Sequence, residues 1–194
     1  MNVFVIVEDH TNDRHIALPL IEQMLKGLGK PRAKVKICQD ASLRGVKNAT
    51  NWSLIKRVLD LRRDVDIFLL LIDRDSDENR RQSLNFLEAK AAEHFGTPNK
   101  FLAENAWQEI EVWAIAGQKA LPKDWNWADI RQHRDPKEAY FEPLAKSRNL
   151  IQEPGQGRTT LGREAAANYA RVRSLCPEDI QQLEERLRAA ISSQ

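Results

Sequence analysis

Phe68-Leu69-Leu70-Leu71-Ile72-Asp73-Arg74-Asp75-Ser76-Asp77 is the stretch whose reading decides the fold. An unbroken apolar run stops at alternating acids. A short run of this kind reads as a strand buried on both faces, the type found in parallel sheets. In open parallel sheets, ligands bind just beyond the carboxyl ends of the strands. Asp73, Asp75 and Asp77 fall there at every second position, and their mutual repulsion costs folding energy unless positive charge sits among them. A divalent cation is the simplest source of that charge, since Mg²⁺ is held by one or two carboxylates plus water and substrate phosphate. The plainer reading is that the acids cap the following helix, because Asp and Ser favour that position. One cap needs one residue, and three acids stand here.

Outward from this run, Val3-Phe4-Val5-Ile6-Val7 is a second apolar, β-branched segment, and it too ends in an acid, Glu8. The polar turn Glu8 to Asp13 is rich in helix-capping types. Ala17, Leu20, Ile21, Met24, Leu25 and Leu28 then share a helical face that stops at Gly29, with Pro19 either in its first turn or at a kink. Residues 33–38 alternate Val35 and Ile37 with lysines, as a half-exposed strand does. After a polar loop over residues 40–51, Leu54 to Leu61 give a helix capped by Thr50 or Asn51. Leu84, Leu87, Ala91 and Phe95 mark another, ended by Gly96 and Pro98. Lys100 to Ala103 gives a short fourth strand. The alternation of strand and helix predicts an α/β layer fold with a mainly parallel sheet and right-handed crossovers.

Residues 104–117 read as one buried helix, capped near Asn105, with Glu104, Gln108 and Glu111 on one side and Trp107 close by. Beyond Gly117 the apolar spacing is helical throughout. A tryptophan-bearing connector over 122–127 leads to a helix opened by Asp135-Pro136, with Pro143 inside it. A flexible loop at 153–158, a helix over 161–174 and a last helix from Pro177 follow. The expected organisation is an α/β domain over residues 1–120 and an all-helical C-terminal region over 121–194 packed on it.

Composition narrows the function classes. The chain has 194 residues, 42% of them hydrophobic and 30% charged, as in an ordinary globular protein. A net charge of +2 gives no global basic field, so contact with nucleic acid must come from local patches. Cys38 and Cys176 are isolated, which argues against a zinc site or disulfide framework and fits a cytoplasmic setting. The N-terminal residues lack a basic lead and a long apolar stretch, so no signal peptide is expected, and no run has the length of a membrane span.

A glutamate closing the first strand, followed by Asp-x-Asp closing a later one, resembles the Toprim domain of topoisomerases, primases and small nucleases. Ile110 to Ala116 with Glu111-Val112-Trp113, then Asp135-Pro136-Lys137 and Leu175-Cys176-Pro177, is similar to a family of small stand-alone Toprim-like proteins encoded beside ATPases. The resemblance implies a Toprim-like fold in which Asp73 and Asp75 hold Mg²⁺ or Mn²⁺, with Asp77 beside them. It makes Glu8 a metal ligand or the general acid/base for a phosphodiester, and lets Glu111 complete a second metal position. One departure stands out: Toprim domains place glycine directly after the glutamate, and this chain has Asp9.

The expectation is therefore a metal-dependent nuclease acting on DNA or RNA, the effector of an ATPase-linked phage-defence system. The alternative is a non-enzymatic Toprim-like subunit that binds metal or nucleic acid and works through a partner ATPase. A receiver-like signalling domain would also place acids at strand ends, with Glu8-Asp9 as the acid pair after strand one. His10 and His15 flank the site loop and read as surface or capping histidines. Lys137, Arg158 and Arg163 are candidates to grip phosphate, though arginines in such positions are most often a solvated face. The Gly-Gln-Gly-Arg-Thr-Thr stretch lacks P-loop spacing.

Overall fold

The computed structural model describes residues 1–193. Four strands, β1 (Asn2–Val7), β2 (Lys34–Ile37), β3 (Ile67–Asp73) and β4 (Phe101–Ala106), form one sheet in the order β2-β1-β3-β4. All three pairings are parallel, so the fold is α/β as expected, and the sheet is wholly rather than mainly parallel. β1 and β3 are central and apolar on both faces. At the edge, Lys34 and Lys36 of β2 are exposed between Val35 and Ile37.

Alternate residues of each strand feed opposite faces. Val3, Val5, Val7, Leu69 and Leu71 pack against one set of helices: α1 (Arg14–Gly27), α5 (Glu111–Ala116), α8 (Arg158–Ala167), α9 (Tyr169–Leu175) and α10 (Gln182–Ser192). Phe4, Ile6, Phe68, Leu70 and Ile72 pack on the other face against α2 (Val46–Ala49), α3 (Trp52–Leu61) and α4 (Arg80–Phe95). No strand follows β4 among the described residues. The C-terminal region adds α6 (Trp127–Gln132) and α7 (Glu142–Ser147), and its helices share one apolar core with α1 and the sheet. α7 and α10 each begin with a wider π turn, at Lys137–Phe141 and Pro177–Gln181.

Two glycines let α8 lie close. A Cβ on Gly162 would run into the carbonyl of His15, and one on Gly117 would run into the backbone of Ala165. Those contacts bring the start of α8 against the start of α1, beside the carboxyl edge of the sheet.

Several sequence expectations are corrected. Residues 104–117 are not one helix: β4 runs through Glu104 and Asn105 to Ala106, a loop follows, and α5 begins only at Glu111. Glu104 is therefore not on a helical face with Glu111. It is buried in a strand because Arg81 of α4 and Arg186 of α10 each reach it at 3.0 Å. The loop over 40–51 contains a 3₁₀ turn at Ala41–Leu43 as well as α2. The helix expected over 161–174 starts earlier, at Arg158, and breaks at Asn168. Asn51, not Thr50, caps α3, accepting from the amides of Ser53 and Leu54. Pro19 lies inside α1, past its first turn.

Candidate metal centre at the carboxyl edge of the sheet

Because Val7 pairs with Leu71, Glu8 and Asp73 emerge from adjoining strands on the same edge of the sheet. Two loops continue from them. After β1, Asp9 turns the chain into α1, and Asp13 folds back so that its Oδ2 accepts the Asp9 amide at 2.8 Å. After β3, Asp75 and Ser76 both adopt left-handed backbone conformations, with φ of 50° and 57°. Two successive non-glycine residues in that region cost on the order of 1–3 kcal/mol each. Gln108 holds them there. Its carbonyl accepts the amides of Arg74 (2.8 Å) and Asp75 (3.3 Å), and its Oε1 accepts the amide of Ser76 at 2.9 Å.

The carboxylates are crowded and poorly matched by cations. Asp73 has one hydrogen bond, from the Ile110 amide to Oδ1 at 2.9 Å. Burial and then the charges of Glu111, Asp13, Glu8 and Asp75 push its carboxyl well above the usual range. Burial and Asp75 also raise Glu8, against smaller opposing effects from the Val46 and Asp73 backbone and from Arg80. Glu8 Oε2 is buried without a hydrogen-bond partner. Burial takes Asp13 to about 7, opposed by the Asp9 amide and helped by Glu111, Asp9 and Glu8. Burial works upward on Asp9 too, but the Thr11 amide, the Asn12 side chain and Arg44 outweigh it and hold Asp9 low.

The structure thus brings Glu8, Asp73 and Asp75 into one electrostatic neighbourhood. Asp77 accepts the Asn79 amide and shares Arg80 with Asp75, lying 3.6 Å from its guanidinium. The helix cap position falls at Asn79, so Asp75 caps nothing. Glu111 lies close enough to press on Asp73 and Asp13, but its Oε1 is taken by Nε and Nη2 of Arg158. Arg158 is therefore not part of a solvated face; it is a buried partner of Glu111, with 4% of its surface exposed. Lys137 pairs with Glu138, and its amide donates to Glu109, whose carboxyl burial lifts to about 7. His10 is half-buried, and His15 packs against the start of α8.

Three residues escaped the sequence reading. Asp13 stood in plain view in the polar turn after β1 but read as a cap. Gln108 appeared as a helix-face residue, and nothing local marks it as the clamp of the Asp-x-Asp loop. Arg80 opens α4 with its guanidinium 4.0 Å from Asp75, and its Nε is buried and unpartnered.

In ligand chemistry the donor set suits a hard divalent cation. The carboxylate oxygens of Glu8, Asp73 and Asp75 are the ligand type that Mg²⁺ and Mn²⁺ select, and the unpartnered Oε2 of Glu8 is a buried acceptor with no protein donor. As the side chains stand, no three acidic, His or Cys residues among the described ones are close enough together to enclose an ion. No family model matches the chain, and neither a curated protein nor a solved structure is significantly similar to it.

Proposed function

We propose that this protein is a metal-dependent nuclease of Toprim-like character, cleaving or nicking phosphodiester bonds in DNA or RNA with Mg²⁺ or Mn²⁺. The observation that carries the reading is the crowding of partly buried Glu8 and Asp73 on adjoining strand ends with few donors, Glu8 Oε2 being buried and unpartnered. Buried charges persist where they are paired or coordinate metal. Glu8, Asp73 and Asp75 would hold the cation. When bound, it supplies Lewis-acid polarisation of the phosphodiester and stabilises the attacking and leaving oxygens. Asp73 is oriented for this by the Ile110 amide, and Asp75 by the Gln108 clamp. Glu8, whose carboxyl is raised above the usual range by burial and by Asp75, would take and return the proton at the reacting oxygen. A cytoplasmic setting and an ATPase partner in phage defence belong to the same proposal. No helix of the described residues is long and apolar enough to cross a membrane.

Asp9 favours a second reading. It stands where the Toprim pattern has glycine, and its carboxylate is tied to Thr11, Asn12 and Arg44, so the loop is filled by side chain. Under that reading the protein is a non-enzymatic subunit that binds metal or nucleic acid and acts through a partner ATPase. Calorimetry with Mn²⁺ on wild type and Asp73→Ala, alongside cleavage of single- and double-stranded DNA and RNA, separates the cases. Loss of binding in the variant together with wild-type cleavage supports the nuclease. Binding without cleavage supports the subunit, and equal binding by both proteins removes the site.

A further inference from the structure

We propose that the cleft between α1, the end of β2 and the start of α8 is a binding site for the phosphodiester backbone of a nucleic-acid strand, with Arg14 and Arg163 as the phosphate contacts. The proposal rests on the nuclease reading above and extends it from the acid cluster to the path of the substrate.

The cleft has a volume of about 480 Å³ and is lined by Arg14, His15, Gln39, Thr159 and Arg163, with Glu22 as its one acid. Its cations are not spent within the fold. Arg163 makes no ion pair or hydrogen bond among the described residues, and the contact of Arg14 is to a neutral acceptor, His15 Nε2 at 3.4 Å. The state of His15 follows from its other nitrogen. Thr159 Oγ1 donates its single hydrogen to the Pro154 carbonyl at 2.7 Å, so toward His15 Nδ1, 2.9 Å away, it can only accept. Nδ1 therefore carries the proton, which leaves Nε2 with a lone pair toward Arg14. Burial and the charges of Arg14, Arg158 and Arg163 hold the ring below its ordinary titration range. Positive charge is thus gathered here beyond what the protein neutralises, which is the condition for holding an anion.

Position ties the cleft to the acids. α1 starts directly after the loop that carries Glu8, Asp9 and Asp13, and Gln39 follows the end of β2 on the same edge of the sheet. α8 opens with Arg158, whose guanidinium holds Glu111, one of the charges that press on Asp73. The cationic cleft and the acid cluster therefore share α8 as a wall. A strand with one phosphate at the acids would lay its neighbouring phosphates toward Arg14, the first residue of α1 after Asp13, and Arg163 of α8. Phosphate contacts of this kind position a strand without reading its sequence.

The test is fluorescence anisotropy in EDTA with a short labelled single-stranded DNA, and the same sequence in RNA. Wild type is compared with Arg14→Gln/Arg163→Gln and with a control of equal charge loss at the opposite edge, Lys30→Gln/Arg32→Gln. The cleft variant should lose about tenfold or more in affinity, and its dependence of log affinity on log salt should flatten by about 1.4, two phosphates at roughly 0.7 each for a single strand. The control should bind as wild type does. Glu22→Gln, which removes the one acid, should bind more tightly. An unchanged salt slope in the cleft variant, an equal loss in the control, or displacement of the strand by stoichiometric inorganic phosphate would each overturn the proposal. Mn²⁺ calorimetry and hydrolysis of bis(p-nitrophenyl) phosphate use the acids without the cleft. Wild type that binds Mn²⁺ and hydrolyses the small ester, with strand affinity unchanged in the cleft variant, rejects the cleft alone; strand affinity that depends on the cleft arginines in a protein that neither binds Mn²⁺ nor hydrolyses the ester rejects the acid cluster and leaves the cleft standing.

Discussion

Carboxylates are buried in this protein in two contrasting ways. Asp179, fully buried at the start of the π turn before α10, is saturated. Its Oδ2 accepts from the Trp107 amide, Trp113 Nε1 and Arg131 at 2.9, 2.7 and 3.2 Å, and its Oδ1 accepts the Ile180 amide at 3.0 Å. Glu104 is held likewise between Arg81 and Arg186. Both tie the C-terminal helices to β4 and α5. At the edge of β1 and β3, by contrast, Asp73 has one amide donor and Glu8 Oε2 has none. Charge buried with its partners is architecture. Carboxylates crowded without such partners weaken the fold, which is why the proposal above gives the second group and not the first to chemistry.

The comparison breaks most visibly at Asp179. Removing one partner of a buried ion pair typically costs 3–5 kcal/mol, because the other is left unpaired. Asp179→Ala should lose about that much in urea unfolding, with the same loss in EDTA and in Mn²⁺. A loss that vanished in Mn²⁺ would mean that the two carboxylate groups are not separate systems.

Asp73→Asn is the opposite case. The amide oxygen still accepts from Ile110, and the charges of Glu111, Asp13, Glu8 and Asp75 no longer bear on an acid at this position. In EDTA the variant should melt no lower than wild type. Saturating Mn²⁺ should stabilise wild type by about 2.7 kcal/mol at a hundred times its dissociation constant and should leave the variant unmoved. A variant that melts well below wild type in EDTA would place Asp73 with Asp179 as a structural partner.

A smaller effect, on the order of 2 kcal/mol between pH 5 and 8, comes from Asp13. Its folded carboxyl titrates near 7, above its ordinary 3.8. A raised folded value contributes stability that is complete below the unfolded value and is lost as pH rises through about 7. Metal-free protein should therefore melt higher at pH 5 than at pH 8, and Asp13→Asn should flatten that slope. A wild-type melting temperature that rises across this window would contradict the assignment.

The contrast between the two groups also explains what was legible in the sequence. Val3 to Val7 and Phe68 to Ile72 announce themselves because a strand covered on both faces must be apolar at every position, and the acids that end them are visible by the same break. β4 did not announce itself in full. Glu104 and Asn105 sit in a buried strand only because arginines 23 and 82 residues away reach Glu104, and no local pattern records that. Arg158 was misplaced for the same reason, since its partner Glu111 is 47 residues away. The clamp by Gln108 depends on a left-handed backbone at Gln108 itself, with φ of 74°, which side-chain periodicity cannot foresee. The apolar skeleton and strand-end acids were readable because burial and breaks are local signals, while polar partnerships across the chain were not.

The smallest expected effect on stability, Asp75→Asn, is the sharpest test of where the functional group ends. Asp75 is about half exposed, and its cationic neighbour, Arg80, is 4.0 Å away, too far for a hydrogen bond. Surface pairs of this kind contribute about 0–1 kcal/mol. Its φ of 50° is one that Asn adopts as readily as Asp, and its amide remains free to donate to Gln108. Neither backbone nor ion pair therefore gives the substitution a large cost, and loss of repulsion with Glu8 works in its favour. Melting in EDTA should stay within about 1 kcal/mol of wild type. Function should respond differently, because an amide oxygen is a weaker ligand for Mg²⁺ than a carboxylate. Metal-dependent cleavage should fall sharply, and the Mn²⁺-induced rise in melting temperature should shrink. Wild-type metal stabilisation and wild-type cleavage together would show that the Asp-x-Asp loop contributes only Asp73, and that the strained turn held by Gln108 presents Asp75 to solvent for some other purpose.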